Sequence, residues 1–199
     1  RILMVEGIAE ALLLPGLAKA AGGSLRESAV TVLNVEGLNF NAFLPLFGEG
    51  RLAFPVAILT DGDAPSVGAA PSATAAGLKA MEADISNVRV FLSERTLEHE
   101  LARSCAILPF MLTAFHELHS VAGQALRETI NGLASADQKA DPFLAALTTT
   151  ERSKGRFTQE LPSQLQSTVL QAEAVGLLLA GAKDVLGCIC ITRRTGTNW

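Results

Sequence analysis

Three short apolar runs, separated by helical patterns, constrain the fold of this chain more than any other feature. The runs cover residues 2–5, 30–35 and 55–59, and none of them alternates polar with apolar residues. A strand with one face in water alternates, whereas a strand covered by helices on both faces does not. Between the first two runs, apolar residues recur at the spacing of an amphipathic helix. The sequence therefore predicts an α/β core, in which a parallel sheet is buried between helices.

The pattern changes character after Thr96, where strand signals end and helical signals continue almost to the end of the chain. We therefore predict an α/β core at residues 1–95 and a helical elaboration at 96–199, with no function assigned to the tail at 186–199. The predicted elements between these landmarks are a short helix at 40–47, a loop at 64–74, a helix at 75–84, a strand at 88–92, and helices at 97–104, 112–134, 157–161 and 167–185, with a break near Asp141 and Pro142.

Composition narrows the setting of the protein. Of 199 residues, 49% are hydrophobic and 18% are charged, below the ~25% charged residues of typical globular chains, which argues against disorder. No apolar stretch reaches the roughly 18 residues of a membrane span, so no membrane partner is expected. Three cysteines fit neither a disulfide framework nor a zinc site, which favours a cytoplasmic setting. Because the chain opens at Arg1 directly into a strand, we expect a piece of a longer protein.

Acidic residues follow two of the predicted strands. Glu6 comes directly after the first strand and Glu10 lies one helical turn later, while Asp61 and Asp63 flank Gly62 after the third strand. Ligands of open parallel sheets gather at the carboxyl ends of the strands. Four carboxylates in a poorly solvated cleft repel one another, and a hard divalent cation with oxygen ligands relieves that repulsion. The cluster therefore predicts Mg²⁺ or Mn²⁺.

Each part of this pattern also has an ordinary structural interpretation. An Asp-Gly-Asp tripeptide is usually a simple turn, and a glutamate at a helix start often only complements the helix dipole. His116 and His119, three residues apart, lack a third nearby nitrogen or sulfur ligand for zinc. A metal site is favoured because these parts occur together in one order. A strand is followed by Glu-Gly-x-x-Glu, and two βα steps later another strand is followed by Asp-Gly-Asp.

Several motifs resemble a known family. The stretches MVEGIAEALLLP at 4–15, VLNVEG at 32–37 and AILTDGD at 57–63 resemble the TOPRIM domain, a Rossmann-like parallel sheet flanked by helices. The stretches LSERTLEHEL at 92–101 and SKGRF at 153–157 are similar to the C-terminal region of nucleases of the OLD (overcoming lysogenization defect) family. The resemblance covers residues 2–160, and we expect no recognisable family pattern after Glu160.

The resemblance implies a metal-dependent endonuclease that cleaves duplex DNA. In the OLD family an ABC-type ATPase domain precedes the TOPRIM nuclease, and in this chain we expect a C-terminal helical subdomain after the TOPRIM core. This chain contains no G-x-x-x-x-G-K-[ST] phosphate-binding loop, so ATP would act only through an N-terminal ATPase domain of the full-length protein. The expected partners are therefore duplex DNA and that ATPase domain.

The resemblance also implies a set of site residues around two Mg²⁺ or Mn²⁺ ions. Such ions, about 3.5–4 Å apart, activate a water and stabilise the leaving oxygen of an in-line displacement. The ligands implied for the first ion are Glu6, Asp61 and Asp63, and those implied for the second are Glu10, Glu98 and the hydroxyl of Thr96.

Glu6 and Lys154 are the residues to which the resemblance assigns a catalytic role. The ammonium of Lys154 would lie beside the scissile phosphate and offset the charge that develops in the transition state. Without the resemblance, a lysine next to Gly155 would be ordinary solvated surface. Thr96 and Glu98 are similarly open to a second interpretation, since residues 93–98 also resemble the start of a helix with Ser93 or Thr96 as its cap.

Alternatives of other kinds remain open at this point. A topoisomerase- or primase-type TOPRIM domain would share Glu6 and the aspartate pair, but the chain contains no tyrosine to serve as a topoisomerase nucleophile. A catalytically silent interaction module could use the same acids for a structural cation. Alanine-rich helices such as residues 121–134 could also pair with a second copy as a homodimer, although a core-facing stripe is the commoner cause of such a pattern.

Overall fold

The computed structural model describes residues 1–149 and 153–165. Within these residues it contains four strands and eight α-helices, with short 3₁₀ turns at Leu44–Leu46 and Met81–Ala83. The strands are β1 (Ile2–Val5), β2 (Thr31–Asn34), β3 (Val56–Asp61) and β4 (Val88–Ser93). The helices are α1 (Ile8–Ala20), α2 (Phe40–Phe43), α3 (Ala73–Ala80), α4 (Leu97–Ala102), α5 (Leu108–Leu118), α6 (Ser120–Asn131), α7 (Ala136–Thr149) and α8 (Ser153–Leu165).

The four strands form one parallel sheet in the order β2-β1-β3-β4. Val5 pairs with Leu59 of β3, and Asp61 pairs with Ser93 of β4. All four carboxyl ends therefore lie along one edge of the sheet. The predicted α/β architecture, a parallel sheet flanked by helices, is confirmed.

The packing of β1 explains why its sequence does not alternate polar with apolar residues. Leu3 and Val5 point to one face of the sheet and join a large apolar cluster with α1 and the later helices. Met4 points to the other face and packs with Ile58 and with Phe40 of α2. Successive residues of a strand face opposite sides, so two covered faces require apolar residues at every position.

The helices after Thr96 pack on the same apolar cluster as α1. Three rings form its centre, with centroids 6.0 Å apart for Phe115 and Phe143 and 5.5 Å apart for Phe143 and Phe157. This cluster runs without a break from β1 to α8. The division at residue 95 stays a prediction.

A close approach between α1 and α8 fixes the position of the last described helix. A Cβ atom placed on Gly16 would lie only 2.5 Å from the Cβ of Pro162. Only glycine permits this contact, because real Cβ atoms do not approach that closely. The contact holds α8 against the helix that begins beside Glu6.

Three predictions for helices in the second half are wrong in their boundaries. The predicted helix at 112–134 is two helices that meet at His119, whose ψ of 74° leaves the helical region. The bend places Gly123 against His116, where an added Cβ would lie 2.6 Å from the His116 Cα. The predicted break at Asp141 and Pro142 is absent, since α7 runs through both residues.

Packing accounts for the continuity of α7. Ala140, Phe143 and Leu147 are buried on one face of the helix, and their burial outweighs the backbone hydrogen bond lost at Pro142. The predicted helix at 157–161 is likewise part of a longer helix, α8. The predicted helix at 167–185, the tail at 186–199 and the cysteines at 188 and 190 lie outside the described residues.

In the part of the chain that the structure describes, no helix combines the length and apolar character needed to cross a membrane.

Candidate metal centre

Glu6 and Thr60 form the first contact at the carboxyl edge of the sheet. Glu6 follows β1 directly, and Thr60 is the penultimate residue of the neighbouring strand β3. The Thr60 hydroxyl, which is buried, donates a 2.8 Å hydrogen bond to Oε2 of Glu6. The hydrogen bond fixes the Glu6 carboxylate beside the end of β3.

Asp61, the last residue of β3, is held by the neighbouring strand and helix. Its Oδ1 accepts hydrogen bonds from the hydroxyl of Ser93, at 3.0 Å, and from the backbone N–H of Leu97, at 2.9 Å. Burial, together with repulsion from the Glu98 carboxylate, raises the pKa of Asp61 to about 7. The carboxylate is therefore costly to ionise in the absence of a bound cation.

The turn that follows Asp61 depends on Gly62. A Cβ at this position would lie 2.3 Å from the carbonyl oxygen of Ser93 and 2.8 Å from that of Glu94, so no larger residue fits. Asp63 then adopts a φ of +52°, and its N–H donates to the carbonyl of Arg95 at 3.0 Å. The turn leaves the Asp63 side chain exposed.

A cleft of about 230 Å³ opens beside this turn. Thr60, Asp61 and Asp63 line one side, and the start of α3 from Ser72 lines the other. The predicted aspartate pair therefore faces a common solvent-accessible space, although only Asp61 is substantially enclosed by protein.

Glu10 lies in the first turn of α1 and is almost fully buried. Its Oε2 accepts a 3.0 Å hydrogen bond from the backbone N–H of Gly7, one of the unpaired donors at the helix start. Burial raises the pKa of Glu10, while this hydrogen bond and the nearby Lys154 oppose the rise. As predicted from the spacing, Glu10 and Glu6 lie close enough to repel each other.

Glu98 enters the site from α4 and is only 1% exposed. Thr96 caps this helix, with its Oγ1 accepting a 3.2 Å hydrogen bond from the N–H of His99. Oε1 of Glu98 is buried without a hydrogen-bond donor, even though Nζ of Lys154 lies 3.0 Å away. The Glu98–Lys154 contact is therefore an ion pair between a buried carboxylate and a partly exposed ammonium.

Lys154 reaches the acidic cluster from the first turn of α8. Its ammonium lies 3.0 Å from Glu98 Oε1 and 3.9 Å from Glu10 Oε1. Burial by itself would lower the pKa of Lys154, but attraction to Glu98, and more weakly to Asp61 and Glu10, raises it overall. The lysine is the positive charge of this acidic cluster.

The predicted site residues therefore occupy three kinds of position. Glu10 and Glu98 contact Lys154 directly, and Asp61 interacts electrostatically with both Glu98 and Lys154. Glu6 lies near enough to this group for its charge to raise the pKa of Glu10. Asp63 lies at the exposed rim, and the hydroxyl of Thr96 serves as a helix cap.

The donor set fits a hard cation, although its side chains are not gathered around one point. Between residues 1 and 149 and between 153 and 165, no three His, Cys, Asp or Glu side chains form a group that could hold a metal ion as they stand. The chemistry nevertheless suits Mg²⁺ or Mn²⁺, since all the candidate donors are oxygens. Oε1 of Glu98 is buried and has the Lys154 ammonium 3.0 Å away, so its position suits a positive charge.

Two contributors to the site were missed in the sequence. Thr60 and Ser93 donate to Glu6 and Asp61 from the ends of β3 and β4. The available signal was a hydroxyl residue at the carboxyl end of an otherwise apolar strand. That signal is weak, because Thr and Ser are ordinary residues at strand ends.

A second missed feature is a charged network that joins α4 to α7. Asp141 accepts from Arg95 at 2.6 Å and lies 3.2 Å from Nε2 of the fully buried His99. Arg103 pairs with Glu94 at 2.8 Å and with Asp137 at 2.6 Å. These contacts fix the helix that presents Glu98.

A known protein family matches the first third of the chain. Residues 1–63, which include Glu6, Glu10, Asp61 and Asp63, match the family described as "Overcoming lysogenization defect protein-like, TOPRIM domain". This part of the chain is therefore similar to an OLD-like TOPRIM domain. The resemblance seen in the sequence is confirmed, and it indicates a nuclease-type family whose TOPRIM domains generally bind divalent metals.

Solved structures extend the likeness beyond the matched residues. The C-terminal region of the Burkholderia pseudomallei OLD protein is 23% identical, with a TM-score of 0.61 over 93% of this chain and 97% of that one. The C-terminal region of the Xanthomonas campestris pv. campestris OLD protein is 22% identical, with a TM-score of 0.62 over 98% and 97% of the two chains. At these identities the likeness shows a shared fold. No curated protein sequence gives a significant match.

Proposed function

We propose that this chain is a metal-dependent DNA endonuclease that hydrolyses phosphodiester bonds of duplex DNA with two Mg²⁺ or Mn²⁺ ions. The observation that supports this most strongly is the group of buried and partly buried carboxylates at the carboxyl edge of the sheet. Glu10, Asp61 and Glu98 come from three different elements and interact there with one ammonium, that of Lys154.

The charge balance of this group favours cation binding. Glu6, Glu10, Asp61 and Glu98 supply four carboxylates when all are ionised, and Lys154 supplies one positive charge. The raised pKa values of Glu10 and Asp61 indicate that this excess of negative charge is unfavourable in the absence of metal. Binding of divalent cations would remove the repulsion and ionise both carboxylates.

The proposed ligands divide between two ions. Glu6, Asp61 and Asp63 would bind the first, and Glu10, Glu98 and Thr96 the second. Bound cations of this kind lower the pKa of a coordinated water and stabilise the leaving oxygen. The Thr96 hydroxyl can cap α4 and still offer a lone pair, because a hydroxyl oxygen accepts twice.

The chain's own residues hold this arrangement in place. Thr60 orients Glu6, whereas Ser93 and the N–H of Leu97 orient Asp61. Lys154, on its flexible stem, would contact the scissile phosphate and offset the charge of the transition state. Partners proposed on the family likeness are duplex DNA and an N-terminal ATPase domain, through which ATP would act, in a cytoplasmic setting. A homodimer stays a prediction.

Cleavage of supercoiled plasmid tests the proposal. We expect nicking or linearisation with Mg²⁺ or Mn²⁺, none in EDTA, and a loss of roughly 100-fold or more in Asp61→Asn. Asparagine keeps the oxygen that accepts from Ser93 and Leu97, so the variant should fold, and circular dichroism and thermal unfolding check this. Full cleavage by Asp61→Asn, or equal cleavage in EDTA, would contradict the proposal.

A second candidate, a catalytically silent module, is favoured by one observation. Lys154 already pairs with Glu10 and Glu98, so this part of the cluster has a cation of its own. A silent module predicts a folded protein that cleaves no plasmid with any metal and loses stability when metal is removed. The same plasmid and unfolding measurements therefore separate the two functions.

A further inference from the structure

The ammonium of Lys154 lies where the proposed second metal ion would have to be bound. Its Nζ is 3.0 Å from Oε1 of Glu98 and 3.9 Å from Oε1 of Glu10, the two carboxylates assigned to that ion. Both glutamates are almost fully buried, so water screens their negative charges poorly and a neighbouring cation matters to both. An ammonium and a divalent cation cannot occupy the same space between these two oxygens.

Lys154 is also placed so that it can leave. Its side chain is 42% exposed, in contrast to the buried glutamates that it contacts. The contact with Oε1 of Glu10, at 3.9 Å, is too long for a hydrogen bond, so that carboxylate attracts the ammonium by charge alone. A lysine is a point charge on a stem with four rotatable carbons, so it can move several ångströms without any change in α8.

We infer that Lys154 is an internal counter-cation that occupies the Glu10–Glu98 pair in the metal-free protein and competes with the second divalent ion for it. This inference rests on the proposed function, since it concerns the same carboxylates. When the pair binds metal, the ammonium is released toward solvent, to which the Lys154 side chain is already partly exposed, and there it can meet a substrate phosphate. Lys154 thus contacts phosphate only when the second ion is in place.

Competition of this kind has a consequence for binding that is separate from activity. Removing the lysine charge removes the competitor, so metal should bind more tightly, while the metal-free protein loses the partner of two buried carboxylates. A lysine that served only the phosphate would leave metal affinity unchanged. An increase in metal affinity therefore indicates the counter-cation role, and unchanged affinity indicates a role toward the phosphate alone.

Calorimetric titration of Mn²⁺ into the wild type and Lys154→Met tests this. Of the two Mn²⁺ ions proposed to bind, we expect the more weakly bound one to bind roughly tenfold more tightly to Lys154→Met than to the wild type. In EDTA, the unfolding temperature of Lys154→Met should be lower than that of the wild type. Lys19→Met is the matched control: it removes the same charge from the same protein, at an exposed position in the last turn of α1, and should bind Mn²⁺ as the wild type does.

A second measurement uses only the wild type and so does not depend on the folding of a variant. Acetylation of lysine amines, followed by mass spectrometry, reports how freely each amine reacts. Addition of Mn²⁺ should increase the acetylation of Lys154 and leave that of Lys19 unchanged.

The outcomes separate this inference from the proposed function. Equal Mn²⁺ affinity in the wild type and Lys154→Met, or Lys154 acetylation that does not respond to Mn²⁺ while the wild type binds it, would overturn the counter-cation role and leave the metal site standing. Failure of the wild type and Lys154→Met alike to bind Mn²⁺ would overturn both.

Discussion

Asp61 links the charge of the site to the stability of the fold. Its pKa is raised from 3.8 to about 7, chiefly by burial, so the folded protein binds a proton that the unfolded chain has already released. In the window from about pH 4 to about pH 7 the folded state holds more protons, and stability must therefore fall as the pH rises. Glu10, whose pKa is also raised, adds to the same trend.

We predict that the metal-free protein, in EDTA, becomes less stable between pH 5 and pH 7, and that Mn²⁺ affinity rises over the same range. The second effect follows because metal binding must release the proton of Asp61. Denaturant unfolding and calorimetry at pH 5, 6 and 7 measure the two trends. In Asp61→Asn, which has no proton to release, the slope of stability with pH should be smaller. Stability that rises from pH 5 to 7 in EDTA would contradict this account.

Thr60 offers a test of orientation, because it contacts Glu6 without being a proposed ligand. Thr60→Val removes the hydroxyl that donates to Glu6 Oε2 and keeps a side chain of similar shape. We expect a stability loss of about 1 kcal/mol and a loss of cleavage of roughly tenfold, since outer hydrogen bonds orient metal ligands.

Thr129→Val is the matched control for this change. Thr129 is exposed on α6, and its hydroxyl bonds only to the carbonyl of Ala125 in the same helix. Plasmid cleavage and thermal unfolding of both variants make the comparison. Wild-type cleavage by Thr60→Val would show that Glu6 does not need this hydrogen bond.

The turn between β3 and α3 determines where the side chains of Asp61 and Asp63 lie. Gly62→Ala would force a Cβ to within 2.3 Å of the Ser93 carbonyl, so β3 and β4 must separate at their carboxyl ends. We predict a loss of stability of roughly 1–3 kcal/mol, the usual range for overpacking, together with a severe loss of cleavage.

The helix that follows contains a suitable control. Gly77 lies within α3, and an added Cβ there meets no atom within 4 Å. Gly77→Ala should therefore raise stability, by about 0.5–1 kcal/mol. Denaturant unfolding compares the two glycine variants, and equal effects would argue against a special role for the turn.

The elements also show which parts of the fold a single sequence could predict. The four strands were predictable because both faces of the sheet are covered, which makes runs such as residues 2–5 uniformly apolar. The helix boundaries near His119 and Pro142 were not, because they depend on contacts distant in sequence or on burial of a whole face. Local propensity signals a break at Pro142, whereas packing of Phe143 and Leu147 keeps α7 continuous.

Some residues of the site were likewise predictable from the sequence, and others were not. Glu6 with Glu10, and Asp61 with Asp63, were predictable because each pair is close in sequence and directly follows a strand. Nothing local connects Glu98 or Lys154 to them, and only the resemblance to the OLD family suggested those residues. The Glu98–Lys154 contact spans 56 positions and forms because α4 and α8 pack on a shared core.

The net charge of the whole chain is unfavourable for binding DNA, the proposed substrate. With 16 basic and 20 acidic residues the chain has a net charge of −4, so its overall field repels DNA. The cleft that would receive a phosphate is itself bordered by Asp61 and Asp63. Affinity for DNA must therefore come from cations bound at the carboxylates and from local basic side chains.

We predict that duplex DNA binding by this chain requires a divalent cation. Ca²⁺, an oxygen-binding ion of the same charge, should support binding, and EDTA should abolish it, because bare carboxylates repel the phosphate backbone. Fluorescence anisotropy with a short labelled duplex measures both states. Asp61→Asn should bind more weakly than the wild type in Ca²⁺, whereas Lys19→Met, which only makes the net charge more negative, should change affinity little. Equal binding in Ca²⁺ and EDTA would mean that the DNA contacts a surface away from the carboxylates, and would separate DNA binding from the proposed metal centre.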